Sequence, residues 1–290
     1  MSAPETDATR TSSTENFPVA SLLLSPQRRA PILAYYRFAR AADDVADDPA
    51  LSSREKIARL DAFEETLLGR DDSVEAARPL RAALEADARL QARHASDLLR
   101  AFRLDASKTR YASFDELMAY CALSAAPVGR FVLNVHGEDE ATWPASDALC
   151  SALQIVNHMQ DCALDFRRLD RVYLPLDMLA REGARVEDLA APAASMGLRA
   201  VLTRLADRTD ALIAEGGTLT PRLRDFRLRA EVGAIEALAL RLNAILKRRD
   251  PLSQETHLGK PQALAIAARG ALGALLRRRR PAQARAGATA

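Results

Sequence analysis

Apolar residues, mostly Ala and Leu, recur every three or four positions through most of the chain. This spacing places apolar side chains on one face of a helix, whereas a strand would show strict alternation, of which we find no convincing stretch. The pattern therefore predicts an all-α protein. The predicted helices cover residues 19–24, 27–47, 52–68, 76–104 (two helices with a short break), 113–136, 147–166, 176–182, 191–215, 220–247 and 261–276.

Local signals refine several helix ends. Ser52 begins a capping-box pattern, and Ser113 is placed to cap the helix that follows it. Thr220, which precedes a proline, predicts a helix start at that point. Residues 137–146 are polar and predict a loop that carries Trp143, the only tryptophan of the chain.

Small residues around Pro127 and Gly129 predict a kink in the helix at 113–136. Such a kink could widen a cavity for a bulky apolar ligand. Helix packing alone would explain it equally well.

The composition limits the kind of protein that this chain can be. With 290 residues, 48% of them hydrophobic, it is long enough for one compact helical domain. We expect a flexible leader at residues 1–14, the folded domain at 15–276 and a basic, Ala-rich tail at 277–290. Basic and acidic side chains nearly cancel, with a net charge of +2, so no overall field favours a nucleic acid partner.

Neither a signal peptide nor a membrane span is indicated. Residues 1–14 are polar, and no uninterrupted apolar stretch reaches about 18 residues. The three cysteines are odd in number and lack metal-binding spacing, so we expect reduced thiols in a cytoplasmic protein. Four arginines at 277–280 follow an apolar helix end and predict weak contact with a membrane surface, although a solvated basic tail is the more common interpretation.

A first cluster of aspartates is spaced for a helix, Asp43-Asp44-x-x-Asp47. Tyr36 and Arg40 share a face with Asp43 and Asp47, because residues three and four apart are neighbours on a helix. Carboxylates are costly to bury without a counter-charge, and the planar guanidinium of Arg40 suits phosphate oxygens. The stripe indicates a cation-binding site, although acidic residues before a proline are also typical of a solvated helix end.

A second cluster lies in the helix predicted at 147–166, where Gln154, Asn157, Asp161 and Asp165 fall on one face. The remaining residues of this segment are mostly apolar, so the four polar side chains need partners if they are buried. A metal ion with a bound anion would satisfy them together. A hydrogen-bond network between helices, without a metal, would do so equally well.

The two clusters together suggest one chemistry. Side chains four apart on a helix lie about 5–6 Å from each other at Cβ, so each aspartate pair can present two carboxylates to one hard cation. Two such helices facing each other would hold several Mg²⁺ ions and, through them, an anionic group such as diphosphate. The residues alone therefore predict a metal-dependent enzyme that acts on a diphosphate ester.

Several ordered motifs resemble the squalene/phytoene synthase family of head-to-head prenyl synthases, from Asn16 to about Pro261. The matching motifs are Asn16-Phe17-Pro18-Val19-Ala20-Ser21, Phe38-Ala39-Arg40-x-x-Asp43-Asp44-x-x-Asp47, Tyr120-Cys121, Gln154-x-x-Asn157-x-x-Gln160-Asp161-x-x-x-Asp165 and Arg171-Val172-Tyr173-Leu174-Pro175. The resemblance implies a single-domain, isoprenoid synthase-like helical bundle around a central apolar cavity.

The resemblance also implies roles for the matching residues. The expected metal ligands, which are also catalytic, are Asp43, Asp47, Asp161 and Asp165, and Tyr120 is a further catalytic residue. The expected substrate contacts are Asn16, Phe17, Arg40, Gln154, Asn157, Gln160, Arg171 and Tyr173. Candidates for an apolar wall beside a reacting cation are Phe17, Phe38 and Phe131, although plain core packing explains each of them as well.

Within the family, the blocks at 15–21 and 124–130 resemble the bacterial hydroxysqualene synthases of hopanoid biosynthesis. Most family members have Arg where this chain has Gln160, and the loss of that cation favours a specialised half-reaction. The resemblance thus implies conversion of presqualene diphosphate and water to hydroxysqualene and diphosphate, with Mg²⁺ and without NADPH. A presqualene diphosphate synthase would be a functional partner.

Two alternatives stay open at this point. A squalene or phytoene synthase would itself join two prenyl diphosphates, and family members that use NADPH need no Gly-rich dinucleotide motif. A non-catalytic prenyl-lipid-binding subunit is the other alternative. Such a subunit would not need the aspartate pairs, which argues against it.

Overall fold

The computed structural model describes residues 25–276. The leader 1–14, the helix expected at 19–24, the tail 277–290 and the candidates Asn16 and Phe17 lie outside these residues. The α-helices of the described residues are α1 (Pro26–Asp47), α2 (Ser53–Leu67), α3 (Arg78–Ala86), α4 (Arg93–Asp105), α5 (Phe114–Ser124), α6 (Ala126–His136), α7 (Trp143–Leu169), α8 (Leu176–Arg181), α9 (Met196–Gly216), α10 (Phe226–Leu246) and α11 (Lys260–Leu276). Over the same residues the backbone forms no β-strand, only one isolated bridge between Arg110 and Val172. The expected all-α fold is confirmed.

Two long helices, α1 and α7, are the centres of two adjoining halves of the bundle. Helices α2, α3, α4 and α6 pack around α1, and α5, α6, α9 and α10 pack around α7. Phe38 of α1 and Met159 of α7 are fully buried at these centres. Each central helix carries one polar stripe among apolar faces, so the two stripes can meet where the halves adjoin.

Two helix starts follow their capping signals. The Ser52 hydroxyl accepts a hydrogen bond from the backbone N–H of Glu55, and the Glu55 carboxylate accepts from the backbone N–H of Ser52 at 2.8 Å. At α5, Ser113 Oγ accepts from the backbone N–H of Glu116 at 3.3 Å. These side chains satisfy N–H groups that have no partner within the helix.

The predicted helix start at Thr220 is wrong. Thr220–Arg222 form only a 3-10 turn, and α10 begins at Phe226. The Asp225 carboxylate accepts hydrogen bonds from the backbone N–H groups of the first turn, and Glu138 accepts from the backbone N–H of Asp225 at 2.8 Å. The Asp225 cap and the Glu138 carboxylate, which is distant in sequence, therefore determine where α10 begins, and they outweigh the Thr-Pro signal at Thr220.

The segment expected as one kinked helix breaks at Ala125 into α5 and α6. Gly129 of α6 lies so close to α7 that an added Cβ would be 2.5 Å from Ser146 Oγ and 2.6 Å from Cys150 Sγ. Gly129 therefore allows the close approach of α6 to α7. By length and composition, Phe114–His136 is the one described segment apolar enough to cross a membrane, and half of it is buried inside the protein.

The loop that was expected to carry Trp143 is shorter than predicted, because α7 begins at Trp143. The indole is 9% exposed and lies edge-on to the ring of His94, with centroids 5.5 Å apart. The guanidinium groups of Arg93 and Arg130 each lie 4.9 Å from its centroid. Burial and these cation–π contacts anchor the start of α7 to α4 and α6.

The three cysteines are free thiols, as expected. Burial raises the pKa of Cys121 and of Cys162 to about 12. These two thiols therefore stay protonated at neutral pH and act as small apolar core residues.

The burial of His94 leads to a prediction about pH. Desolvation, with smaller contributions from Arg93 and Arg130, lowers the pKa of His94 from 6.5 to about 4. The unfolded chain takes up a proton below pH 6.5, whereas the folded protein resists protonation down to about pH 4, so stability falls as the pH drops through this window. Between about pH 7 and pH 5, we expect wild type to lose about 2 kcal/mol more unfolding free energy than His94→Gln.

Urea unfolding at the two pH values measures this difference. Each protein is compared with itself at the two pH values. The packing energy that the variant has lost is missing at both pH values and therefore cancels. Equal losses in both proteins would show that His94 does not carry the linkage.

Candidate active site

The polar stripes of α1 and α7 face each other across a cavity of about 300 Å³. The described candidates that line it are Asp43, Asp47, Asp161, Asp165, Tyr120, Arg40, Gln154, Asn157, Arg171 and Tyr173. Two clusters that lie far apart in the sequence therefore meet in one site.

On α1, Arg40 contacts two aspartates, Asp43 at 3.0 Å and Asp44 at 2.8 Å. The Asp43 side chain faces the cavity. Desolvation, with a contribution from the neighbouring Asp47, raises the pKa of Asp43 to about 7, and Arg40 only partly opposes this shift. Burial and the neighbouring Asp47 thus disfavour the charged form of the Asp43 carboxyl, and a bound cation would stabilise that form.

Arg171 connects the end of α1 to the loop after α7. Asp170 ends α7 in the left-handed conformation, with φ 50°, and Arg171 follows it as a buried residue. Its guanidinium pairs with the Asp47 carboxylate and donates to the Ala46 carbonyl at 3.0 Å. Burial disfavours the charge of Arg171, but Asp105 and Asp47 together raise its pKa above the ordinary value, so it stays a cation.

Asp105 belongs to this site, although sequence reasoning missed it. It ends α4, is 7% exposed and accepts hydrogen bonds from the hydroxyls of Tyr120 at 2.7 Å and Tyr173 at 3.1 Å. Burial raises the pKa of Asp105 to about 6, while Arg171 and the Tyr120 hydrogen bond act in the opposite direction. The only sequence signal is one acidic residue after an apolar helix segment, because every partner lies elsewhere along the chain.

His158 also lines the cavity. Its ring stacks on Tyr173 with centroids 3.6 Å apart, and its Nε2 accepts a hydrogen bond from the Gln154 amide at 3.1 Å. Desolvation, with a smaller contribution from Arg171, lowers the pKa of His158 to about 3. The imidazole therefore stays neutral, and it holds Tyr173 and Gln154 in place without adding a charge.

Gln160 does not line the cavity. Its amide donates to the Thr256 carbonyl at 3.0 Å and thereby ties α7 to the segment before α11. Successive residues of a helix point roughly 100° apart, so Gln160 cannot share the face of its neighbour Asp161. The expected substrate contact of Gln160 is therefore not supported by its position. Arg167 and Arg168, which follow the second cluster, are exposed.

An apolar cavity of about 320 Å³ adjoins the polar one. The two cavities share Tyr36, Ala39 and Val128 as lining residues. The apolar wall comes mainly from α1, α6, α7 and α10, and Glu231 of α10 is the one charged residue among the described residues that line it. A polar head and an apolar chain of one molecule could therefore occupy neighbouring spaces.

The expected aromatic wall is only partly present. Phe131 lines the apolar cavity and stacks on Tyr35, with centroids 4.3 Å apart. Phe38 lines neither cavity, because it is fully buried and packs edge-on against Phe63. The prediction for Phe38 is therefore wrong, and the alternative of core packing holds.

The side chains of the polar cavity fit a hard cation, because aspartate oxygens predominate among them. Among residues 25–276, no three Asp, Glu, His or Cys side chains converge on a closed metal site. Mg²⁺ does not require such a cage, since it usually binds one or two carboxylates and completes its shell with water and substrate phosphates. The pairs Asp43 with Asp47 and Asp161 with Asp165 offer this arrangement, because all four side chains line the polar cavity.

Residues 10–262 match the sequence profile of squalene/phytoene synthases. The chain belongs to the squalene/phytoene synthase family. Its relatives include hydroxysqualene synthases from Rhodopseudomonas palustris and Sinorhizobium fredii, which are 49% and 48% identical. The alignments cover 96% and 91% of this chain and 94% and 89% of those proteins.

A solved structure shows the same fold. The squalene synthase HpnC from Alicyclobacillus acidocaldarius is 31% identical and matches with a TM-score of 0.71 over 79% of this chain and 87% of that chain. The expected isoprenoid synthase-like fold is confirmed, and this member of the squalene/phytoene synthase family is a terpenoid synthase.

Proposed function

We propose that this squalene/phytoene synthase family member converts presqualene diphosphate and water to hydroxysqualene and diphosphate. Relatives named hydroxysqualene synthases, 43–49% identical over most of the chain, support the proposal. The observation that carries it is the junction between an aspartate-lined cavity and an apolar one at Tyr36, Ala39 and Val128. A substrate with a diphosphate head and long hydrocarbon arms needs both environments side by side.

The first step would break the C–O bond to the diphosphate, which leaves with both electrons of the bond. Arg40 and Arg171 both line the polar cavity and would donate charge-assisted hydrogen bonds to the departing oxygens. Gln154 and Asn157 would orient the same group from α7. Since His158 stays neutral, the cationic side chains that line this cavity among the described residues are the two arginines.

The two aspartate pairs would hold Mg²⁺ from opposite walls of the cavity. Bound Mg²⁺ would act as a Lewis acid that neutralises charge on the departing diphosphate. The carboxylates Asp43, Asp47, Asp161 and Asp165 would otherwise repel this anion, so the site as built needs a cation before it can bind substrate.

Tyr120, Tyr173 and Asp105 would position the site. Burial raises the pKa of both tyrosines well above the ordinary value, so their hydroxyls keep their protons and donate to Asp105. Asp105 in turn favours the charge of Arg171. This network would hold Arg171 beside Asp47 throughout the reaction, and a direct contact of Tyr120 with substrate stays a prediction.

After diphosphate leaves, the cyclopropylcarbinyl cation would rearrange and bond to the oxygen of one water molecule, which releases a proton. The overall change consumes one water and releases one diphosphate, with no oxidation or reduction, so NADPH is not expected. The apolar walls, including Phe131, would limit the access of further water to the cation. A separate enzyme that joins two prenyl diphosphates would supply the substrate, and we propose that both act in the cytoplasm.

Product analysis in oxygen-labelled water tests the proposal. With presqualene diphosphate and Mg²⁺, we expect hydroxysqualene that carries the label in its hydroxyl group, at the same rate with and without NADPH. The label must come from solvent, because the diphosphate keeps its bridging oxygen when the C–O bond breaks.

Squalene formed only with NADPH would instead favour a squalene synthase, the alternative raised by the solved structure of that name. A hydrocarbon formed from farnesyl diphosphate alone would show that the protein also joins prenyl diphosphates. Tight binding of presqualene diphosphate without any diphosphate release would support a non-catalytic lipid-binding subunit.

A further inference from the structure

Helix α11 packs mainly on α10, and the contact uses small residues. A Cβ added to Gly270 would collide with the Gly233 carbonyl and with Ala237. A Cβ added to Gly233 would collide with Ala274, which is buried at 2% exposure. These contacts occupy one side of α11, and its opposite side faces away from α10.

The outer side of α11 is apolar and exposed. Leu264, Leu272 and Leu276 are 72%, 60% and 76% exposed, and Leu275 is 38% exposed. The helical repeat of 3.6 residues places these leucines on one broad face together with the intervening alanines. Arg269 lies at the edge of this face. A helix of a water-soluble bundle would normally carry polar residues here.

We call the four exposed leucines of α11, Leu264, Leu272, Leu275 and Leu276, the α11 surface.

The sequence indicates which kind of partner fits the α11 surface. Leu276 is followed directly by four arginines at 277–280. An apolar helix face enters the boundary between lipid headgroups and acyl chains, and adjoining cations meet lipid phosphates. A second copy of this chain fits less well, because a two-fold contact is self-complementary and would add the same arginines and no anionic partner for them.

We propose that the α11 surface docks on an anionic lipid bilayer, with the exposed leucines entering the headgroup boundary. The small residues between α10 and α11 hold this face outward and rigid. One supporting point rests on the proposed function: its substrate carries long hydrocarbon arms and its product is strongly apolar, so docking on a bilayer would shorten their path through water. The geometry of the α11 surface does not depend on that point.

Vesicle co-sedimentation of the full chain tests the proposal without substrate. We expect binding to vesicles of phosphatidylcholine with phosphatidylglycerol and much weaker binding to phosphatidylcholine alone. The double variant Leu264→Gln with Leu272→Gln should lower the apparent partition coefficient on anionic vesicles by at least about tenfold. Replacing the four arginines at 277–280 by Gln should remove most of the salt dependence.

The matched control replaces two exposed apolar residues elsewhere, Met196→Gln with Leu68→Gln, which are 92% and 41% exposed in wild type. This control should bind vesicles like wild type.

The proposal is overturned if wild type does not sediment with anionic vesicles, or if the two double variants bind equally. It is also overturned if Leu264→Gln with Leu272→Gln splits an oligomer in sedimentation velocity while vesicle binding is unchanged. Activity on presqualene diphosphate in detergent, measured separately, would show whether the proposed function fails independently.

Discussion

Replacing Asp43 or Asp161 by Asn is expected to lower turnover of presqualene diphosphate by at least about a hundredfold while the helical fold is kept. Each carboxylate is proposed to bind Mg²⁺, and an amide is a poor ligand for this ion. The fold should survive, because burial already disfavours the charged form of Asp43, whose pKa is raised to about 7. Turnover across a Mg²⁺ titration, with urea unfolding in parallel, measures both effects.

Asp44→Asn is the matched control for Asp43→Asn. Asp44 is the adjacent residue, its side chain is 44% exposed, and it pairs with the same Arg40 without lining the cavity. Its variant should keep turnover within about threefold of wild type, as expected for the loss of one exposed ion pair. Near wild-type turnover of Asp43→Asn or Asp161→Asn at limiting Mg²⁺ would exclude that residue as an essential ligand. Unfolding of either variant would instead favour a structural role for the carboxylate.

The parts of the site that the sequence predicts are those set by helical periodicity. Arg40, Asp43 and Asp47 fall on one face of α1, as Gln154 and Asp161 do on α7, and both faces line the same cavity. The sequence alone does not show that these two distant helices face each other. It depends on how α1 and α7 pack against α6, which local spacing does not determine.

The parts that the sequence does not predict depend on contacts between distant segments. Asp105 enters the site because Tyr120 and Tyr173 donate to it across 15 and 68 residues of sequence. Phe38 was a candidate for the cavity wall because it is aromatic, with core packing as the alternative, and it lies on the core side of α1. Gln160 was assigned to the substrate from its motif, but it lies beside the polar stripe of α7 and donates to the Thr256 carbonyl.

A hydrogen-bond network between helices lies at one side of the cavity, where the hydroxyls of Tyr120 and Tyr173 donate to Asp105. The aspartate pairs of α1 and α7 lie along the rest of the cavity wall, where the described cations are Arg40 and Arg171. The network can therefore hold Arg171 in place beside Asp47, and Mg²⁺ binding at the aspartate pairs stays a prediction.

Arg171→Met is expected to lower the free energy of unfolding by about 3 kcal/mol, in addition to impairing turnover. The arginine side chain is only 7% exposed, and its loss would leave Asp47 and Asp105 without their counter-charge and the Ala46 carbonyl without a donor. The value lies at the low end of the range for broken buried ion pairs, because water still reaches the Asp47 side chain, which is 39% exposed. Urea unfolding at neutral pH in the absence of Mg²⁺ measures it.

Arg110→Met provides the control. Arg110 pairs with Asp170, the residue before Arg171, but this pair is more exposed: the Arg110 side chain is 28% exposed and the Asp170 side chain is 70% exposed. Its loss should cost less than about 1 kcal/mol. Adding Asp105→Asn to Arg171→Met should recover part of the lost stability, because the double variant no longer buries the unpaired Asp105 charge. If Arg171→Met costs no more than Arg110→Met, Arg171 does not hold the end of α1 against the loop after α7. Its contribution would then be limited to binding the diphosphate, and the double variant would show no recovery.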